Sequence, residues 1–167
     1  SHVEAAKFMD ALAATPGCDG EDSDAMGAYT QVLLSDMEEL GISTETWISL
    51  PIHKQPKSWR KYKQPVCRLR VKLYGHILAG LFWEKFCQKV LFSCGFQKCP
   101  GWECLFFHAQ KQLFLPVYVD DFKMAGNKKN LAAMWKEIGK KMDLEPPVPL
   151  NNNVYLGCQQ CPYTPPA

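Results

Sequence analysis

Nine consecutive residues constrain this chain more than any others: Leu113-Phe114-Leu115-Pro116-Val117-Tyr118-Val119-Asp120-Asp121. An apolar run of this length between polar stretches forms a core strand. Two adjacent carboxylates at its end repel one another, and holding them beside a core is costly unless a cation compensates. The simplest such cation is a divalent metal, and Mg²⁺ is held by one or two carboxylates together with substrate phosphates. The bland alternative is a hairpin turn, where Asp is common, and on the pair alone that reading is the commoner one.

The surrounding pattern supplies a chain of elements. Val3 to Ala14 spaces Ala5, Phe8, Met9 and Leu12 as a helix does, and Thr15-Pro16-Gly17 ends it. Asp22 to Tyr29 is an acidic segment, and the run from Ala28 to Leu34 reads as a strand turning into a short helix. Residues 35–65 read mostly as loop. Val66 to Leu73 alternates Val66, Arg68, Arg70 and Lys72 with Cys67, Leu69, Val71 and Leu73, which predicts a strand with one basic face. His76 to Cys94 is the longest helical stretch, stopped at Gly95. Cys104–His108 and Leu113–Val119 form a hairpin around Gln110-Lys111-Gln112, Asp120-Asp121 is the next turn, and Phe122–Ala125 returns. Asn127 caps a basic helix to about Met142. Pro146-Pro147-Val148-Pro149 breaks the chain before a last strand at Val154–Cys158. This order predicts an α+β sheet with helices packed on one face.

Charge is unevenly placed. Residues 1–45 hold ten acids and one lysine, whereas the stretch from Thr46 to Trp83 holds eight basic residues and no acid. Such a stretch suits a polyanion such as nucleic acid, or is simply a solvated basic face. No stretch at the N-terminus has the order of a signal peptide, so an intracellular setting is expected, cytoplasmic or nuclear. The eight cysteines are then expected as free thiols. Only Cys158-x2-Cys161 makes a tight pair, and no histidine follows it, which is poor spacing for structural zinc. No apolar run reaches the roughly 18–20 residues of a membrane span.

Tyr118-Val119-Asp120-Asp121, lying between an apolar strand and a short second one, resembles the Tyr-x-Asp-Asp motif of reverse transcriptases. Upstream, Asp24-Ala25-Met26-Gly27-Ala28-Tyr29 is similar to that family's first catalytic motif: an Asp, three variable residues, a small residue and an aromatic. Leu73-Tyr74-Gly75, with Trp83 eight residues after Gly75, is similar to a segment of the copia-type branch. Tyr155-Leu156-Gly157-Cys158 looks like that branch's Phe-Leu-Gly-Ile strand, which grips the primer. Ile77-Leu78-Ala79-Gly80 departs from the branch, which carries Lys-Gln-Ser-Pro there.

The resemblance implies a polymerase palm-like antiparallel sheet with a partial fingers region, residues 1–167 forming one reverse transcriptase domain without thumb, connection or RNase H. It implies RNA-directed DNA synthesis by two Mg²⁺ ions about 4 Å apart, with Mn²⁺ able to substitute. Asp24 and Asp120 would be the bridging ligands, and Asp121 would assist. Tyr29 would exclude a 2′-hydroxyl from the incoming nucleotide. Val119 would touch the primer end and Tyr118 the primer backbone, while Arg68, Arg70 and Lys72 would meet phosphates. The implied partners are an RNA or DNA template with a DNA primer, dNTPs, and the integrase and RNase H of a retroelement polyprotein, with no membrane. Two other readings compete, ahead of a third, another palm-type enzyme such as a nucleotide cyclase. One is a decayed retroelement fragment with residual nucleic-acid binding. The other is a Cys-rich zinc-binding interaction module.

Overall fold

The computed structural model describes residues 2–33, 45–71, 78–152, 154, 155 and 157–159. It divides into two compact units, residues 1–28 with 84–167, and residues 29–83.

The first unit is built on an antiparallel sheet of six strands. They are β1 (Cys18–Asp24), β4 (Gln97–Lys98), β5 (Leu105–His108), β6 (Leu113–Tyr118), β7 (Asp121–Asn127) and β8 (Val148–Pro149), in the order β4-β5-β6-β7-β1-β8. Edge strand β8 carries a proline, which an edge accommodates readily because one side of it needs no ladder hydrogen bond. Because side chains alternate along a strand, register sorts them into two faces. Gly20, Asp22 and Asp24 of β1 lie opposite Ala125, Lys123 and Asp121 of β7 on one face, with Phe114 and Tyr118 of β6 alongside. Glu21 and Ser23 share the other face with Met124 and Phe122.

Helix α1 (His2–Ala13) covers the first face. Its Met9 packs with Ala125 and Leu105, and Phe8 meets Phe114 edge-on at 5.2 Å. The sheet is smooth enough for this because Gly20 has no side chain, and a Cβ there would collide with Leu150. Helices α2 (Ala79–Ser93) and α3 (Lys128–Ile138) lie on the second face. Phe92 of α2 approaches Phe106 at 6.2 Å, and Lys141, just past α3, donates to Ser93 Oγ at 2.8 Å. In α3, Leu131, Met134, Trp135 and Ile138 are buried at helical spacing, and the Asn127 side chain accepts from Lys129 N–H as its cap. The expectation of helices on one face is therefore corrected: both faces are covered. The sign of this was the run Leu113–Val117, apolar at odd and even positions alike, as a strand buried on both sides is.

Other boundaries moved for local reasons. The first strand is the acidic Cys18–Asp24, not the run from Ala28 to Leu34, where Ala28–Gln31 forms a 3-10 turn. The last segment is a hairpin of β9 (Val154–Tyr155) and β10 (Cys158–Gln159), turned at Gly157 with a positive φ of 76°.

In the second unit, β2 (Trp47–Ile48) pairs antiparallel with β3 (Cys67–Arg68), and Leu33 bridges Val71. Two 3-10 turns, Ile52–Lys54 and Lys57–Lys61, each follow a proline. The alternation expected from Val66 survives as burial: Arg68 and Arg70 are exposed and Leu69 is buried, although only two residues form a regular strand. Lys72, with Leu73, Tyr74 and Gly75, lies outside the described residues.

Candidate functional site

Two strand ends bring acids together. In the β1–β7 register Asp24 sits directly across from Asp121, and in the β6–β7 register Tyr118 sits across from Asp121. Tyr118, Asp121 and Asp24 thus form one row across three strands. Only Val119 and Asp120 remain to join β6 to β7, so the connection is a two-residue hairpin. The Asp pair is therefore split between turn and strand. Asp120 is in the turn, and Asp121 is the first residue of β7.

The turn is strained. Val119 has φ +55°, a left-handed conformation that a β-branched residue rarely adopts and that hairpin turns of this length usually fill with Asn or Gly. Strain of this kind persists where surrounding structure over-determines it. The Asp120 carbonyl accepts from Ala25 N–H at 2.8 Å, tying the turn to the end of β1. On the other side, Glu145 N–H donates to the Asp24 carbonyl at 2.8 Å, and Ser23 Oγ donates to Glu145 O at 2.7 Å. The backbones carrying all three aspartates are held by these contacts.

Electrostatically, the acids feel each other. The Asp121 carboxyl is pushed up from 3.8 to about 6, first by burial and then by the charges of Asp24 and Asp120. A hydrogen bond between the Asp121 and Asp24 side chains favours the protonated form further. Like charges that share a proton in this way are what a divalent cation would relieve. Among the described residues, no three His, Cys, Asp or Glu side chains are gathered closely enough to hold a metal by themselves.

One row deeper on the same face lies a cation that sequence reasoning passed over. Lys123 is 1% exposed, is the cross-strand partner of the buried Asp22, and forms an ion pair with Asp10 of α1. Its ammonium lies 4.8 Å from the centre of the Tyr155 ring. Burial, and then the Asp121 charge, raise the Tyr155 phenol above its ordinary range. The last hairpin therefore brings Tyr155 against the carboxylate face. Period-two spacing held the signal for this row: Asp22 stands two before Asp24, and Lys123 two after Asp121.

Tyr118 and Val119 are each 41% exposed at the rim of the acids. Tyr29, half-buried in its 3-10 turn, belongs to the second unit together with Arg68 and Arg70. Arg68 Nε lies 3.8 Å from a Glu45 carboxylate oxygen. The thiols of Cys18, Cys67, Cys87, Cys94, Cys99 and Cys104 are free. No described helix is long and apolar enough to cross a membrane.

No family model matches the chain, and no curated protein does. Among solved structures, a telomerase from Candida albicans, in complex with the TWJ fragment of telomeric RNA, matches over 83% of this chain. The identity is 11% and the TM-score 0.44, and the match covers 27% of the telomerase chain.

Proposed function

We propose that this chain is the palm, with part of the fingers, of a copia-type RNA-directed DNA polymerase that extends a DNA primer with dNTPs. One observation carries the reading: Asp24 and Asp121 meet across β1 and β7 beside a strained two-residue turn that presents Asp120. The Tyr-x-Asp-Asp motif and the upstream Asp motif supply the same three residues.

The donor set fits Mg²⁺. That ion is commonly bound by one or two carboxylates, with substrate phosphates and water completing its shell, so a full protein cage is not required beforehand. Asp24, Asp120 and Asp121 would hold the ions, and Mn²⁺ would substitute. Bound there, divalent ions supply an activated primer hydroxyl and neutralise charge on the leaving pyrophosphate.

The chain's own residues position the reaction. The hairpin fixes Asp120 through its carbonyl bond to Ala25, and the antiparallel register fixes Asp121 to Asp24. Tyr118 and Val119 offer an exposed edge for the primer end. In the second unit, Tyr29 would select the deoxy sugar, and Arg68, Arg70 and Lys72 would meet template or triphosphate phosphates. Positioning and charge stabilisation are most of what phosphoryl transfer asks of a protein. The template would be RNA or DNA, and integrase and RNase H would belong to the same polyprotein.

Mn²⁺ binding measured by electron paramagnetic resonance, with and without dTTP, tests this. Binding should be tighter with dTTP and should fall about tenfold or more in Asp24→Asn, the loss of one charge-assisted ligand. Equal binding by wild type and Asp24→Asn would overturn it. The second reading, a fold that keeps nucleic-acid affinity without catalysis, draws on the exposed basic residues of the second unit and on the absence of a ready three-ligand group among the described residues. Salt-dependent primer–template binding without dTTP-enhanced Mn²⁺ uptake would favour it.

A further inference from the structure

The chain from 49 to 66 joins β2 to β3, and no residue in it is buried. Connections longer than about 12–15 residues without a helix or strand of their own are uncommon in compact folds and usually serve a function. This one supplies no residue to a core, yet it is held in shape. Pro51 and Pro56 open its two 3-10 turns, Gln55 Nε2 donates to Leu50 O at 2.7 Å, and Tyr62 N–H donates to the Trp59 carbonyl at 2.9 Å. Its ends are joined by the β2–β3 ladder and by Ser49 Oγ, which donates to Pro65 O at 3.5 Å. A loop ordered beforehand loses little freedom on binding.

The loop carries the exposed cations Lys54, Lys57, Arg60, Lys61 and Lys63, and no acid lies between Thr46 and Trp83. Like charges crowded on one loop repel, and a polyanion relieves them. An aromatic ring stands among these charges. Tyr62 is 57% exposed, and the Lys61 ammonium lies 5.1 Å from the centre of its ring. An exposed ring beside cations is a surface on which a base stacks while the neighbouring phosphates meet lysine and arginine. Beyond the two residue pairs of the ladder at its base, the loop has no helix or β-ribbon that could enter a duplex groove.

We propose that this loop is a binding site for single-stranded nucleic acid, RNA or DNA, without sequence preference. A base stacks on Tyr62, and the five cations follow the phosphates on either side of it. Every base has a π-face and every nucleotide a phosphate, so such a site reads no sequence. An acidic peptide would satisfy the charges and leave the ring unused, and a duplex keeps its bases stacked on one another. The site uses neither the aspartates nor Arg68, Arg70 or Lys72, so it does not depend on the polymerase reading.

The test is fluorescence anisotropy of the whole chain with end-labelled oligo(dT) and oligo(rU) of about 12 nucleotides, a length within the span of one such site. EDTA is present and triphosphate is not, so metal at the aspartates takes no part. Both strands should bind, and a duplex of equal length about tenfold more weakly, since its bases are not free to stack on the ring. Affinity should fall with salt at a log–log slope of about −3, as for four or five neutralised phosphates on a single strand. Tyr62→Ala should weaken binding about tenfold, and Tyr62→Phe, which keeps the ring, should bind as wild type. Lys57→Ala together with Lys63→Ala should flatten the slope by about 1.4. Four results would each overturn the proposal: no binding up to about 100 µM chain, the weak end of non-specific binding; a duplex bound as tightly as the single strands; Tyr62→Ala binding as wild type; or a slope unmoved in the lysine variant. Phosphatidylserine vesicles bound through the same lysines, with no oligonucleotide binding, would place a membrane surface there instead.

Discussion

Asp121→Asn should stabilise the protein at neutral pH and not in acid. In the folded chain the Asp121 carboxyl holds its proton up to about pH 6, because it is partly buried and faces Asp24 and Asp120, whereas its ordinary value is 3.8. A raised carboxyl contributes stability while neutral. That contribution is complete below about pH 4 and is lost as pH rises through about 6. A shift of about two units corresponds to about 3 kcal/mol, which solvent screening at a half-exposed group reduces to about 1–2 kcal/mol. Asparagine keeps the shape and a donor towards Asp24 without the charge. For a chain of this size each kcal/mol moves Tm by about 2–4 °C, so the variant should melt about 3–6 °C higher at pH 8. At about pH 3, below both values, the difference should nearly vanish. Calorimetric scans of both chains across this range measure it, and carboxylates common to the two cancel in the difference. Millimolar Mg²⁺ should narrow the gap at pH 8 by stabilising wild type more than the variant. A variant no more stable than wild type at pH 8, or a gap independent of pH, would refute the reasoning that Asp24 and Asp121 repel across the strand pair.

Val119→Asn should raise stability by about 1 kcal/mol in denaturant unfolding, because Asn tolerates the left-handed φ that costs a β-branched residue about 1–2 kcal/mol. Unchanged or lower stability would mean the turn is not strained. Lys123→Met should cost about 3 kcal/mol, since it strips the cation from between Asp10 and the buried Asp22. Asp10→Asn, at the half-exposed end of the same pair, should cost about 1 kcal/mol or less. Equal costs for the two would place the importance of Lys123 in the surface pair alone.

Long, strongly patterned stretches were legible in the sequence. The α1 stripe, the Leu113–Val119 strand and the Asn127 cap all stand within a residue or two of where the sequence put them, because each rests on local apolar spacing or one local hydrogen bond. Strand β1 was not legible by pattern. Cys-Asp-Gly-Glu-Asp-Ser-Asp has no apolar alternation, and it forms a strand only because β7 and β8 pair with it on either side. Asp24 was found through motif resemblance rather than through any sign of a strand. The second helix layer was legible in the Leu113–Val117 run, apolar at odd and even positions alike, but that parity does not say which helix covers which face. Lys123 and Asp22 were passed over because a charge in sequence reads as surface. The burial of Lys123 depends on Asp10, brought in by α1 from more than a hundred residues away.

Addition of a single dNTP to a primer–template end is the most direct measure of polymerase chemistry here, since it needs no translocation. With Mg²⁺ or Mn²⁺, wild type should add the complementary deoxynucleotide, and Asp24→Asn and Asp120→Asn should each reduce the rate at least about a hundredfold. Addition that persists in both variants, or no addition by the folded wild-type chain with either metal, would contradict the assignment of these carboxylates to nucleotidyl transfer.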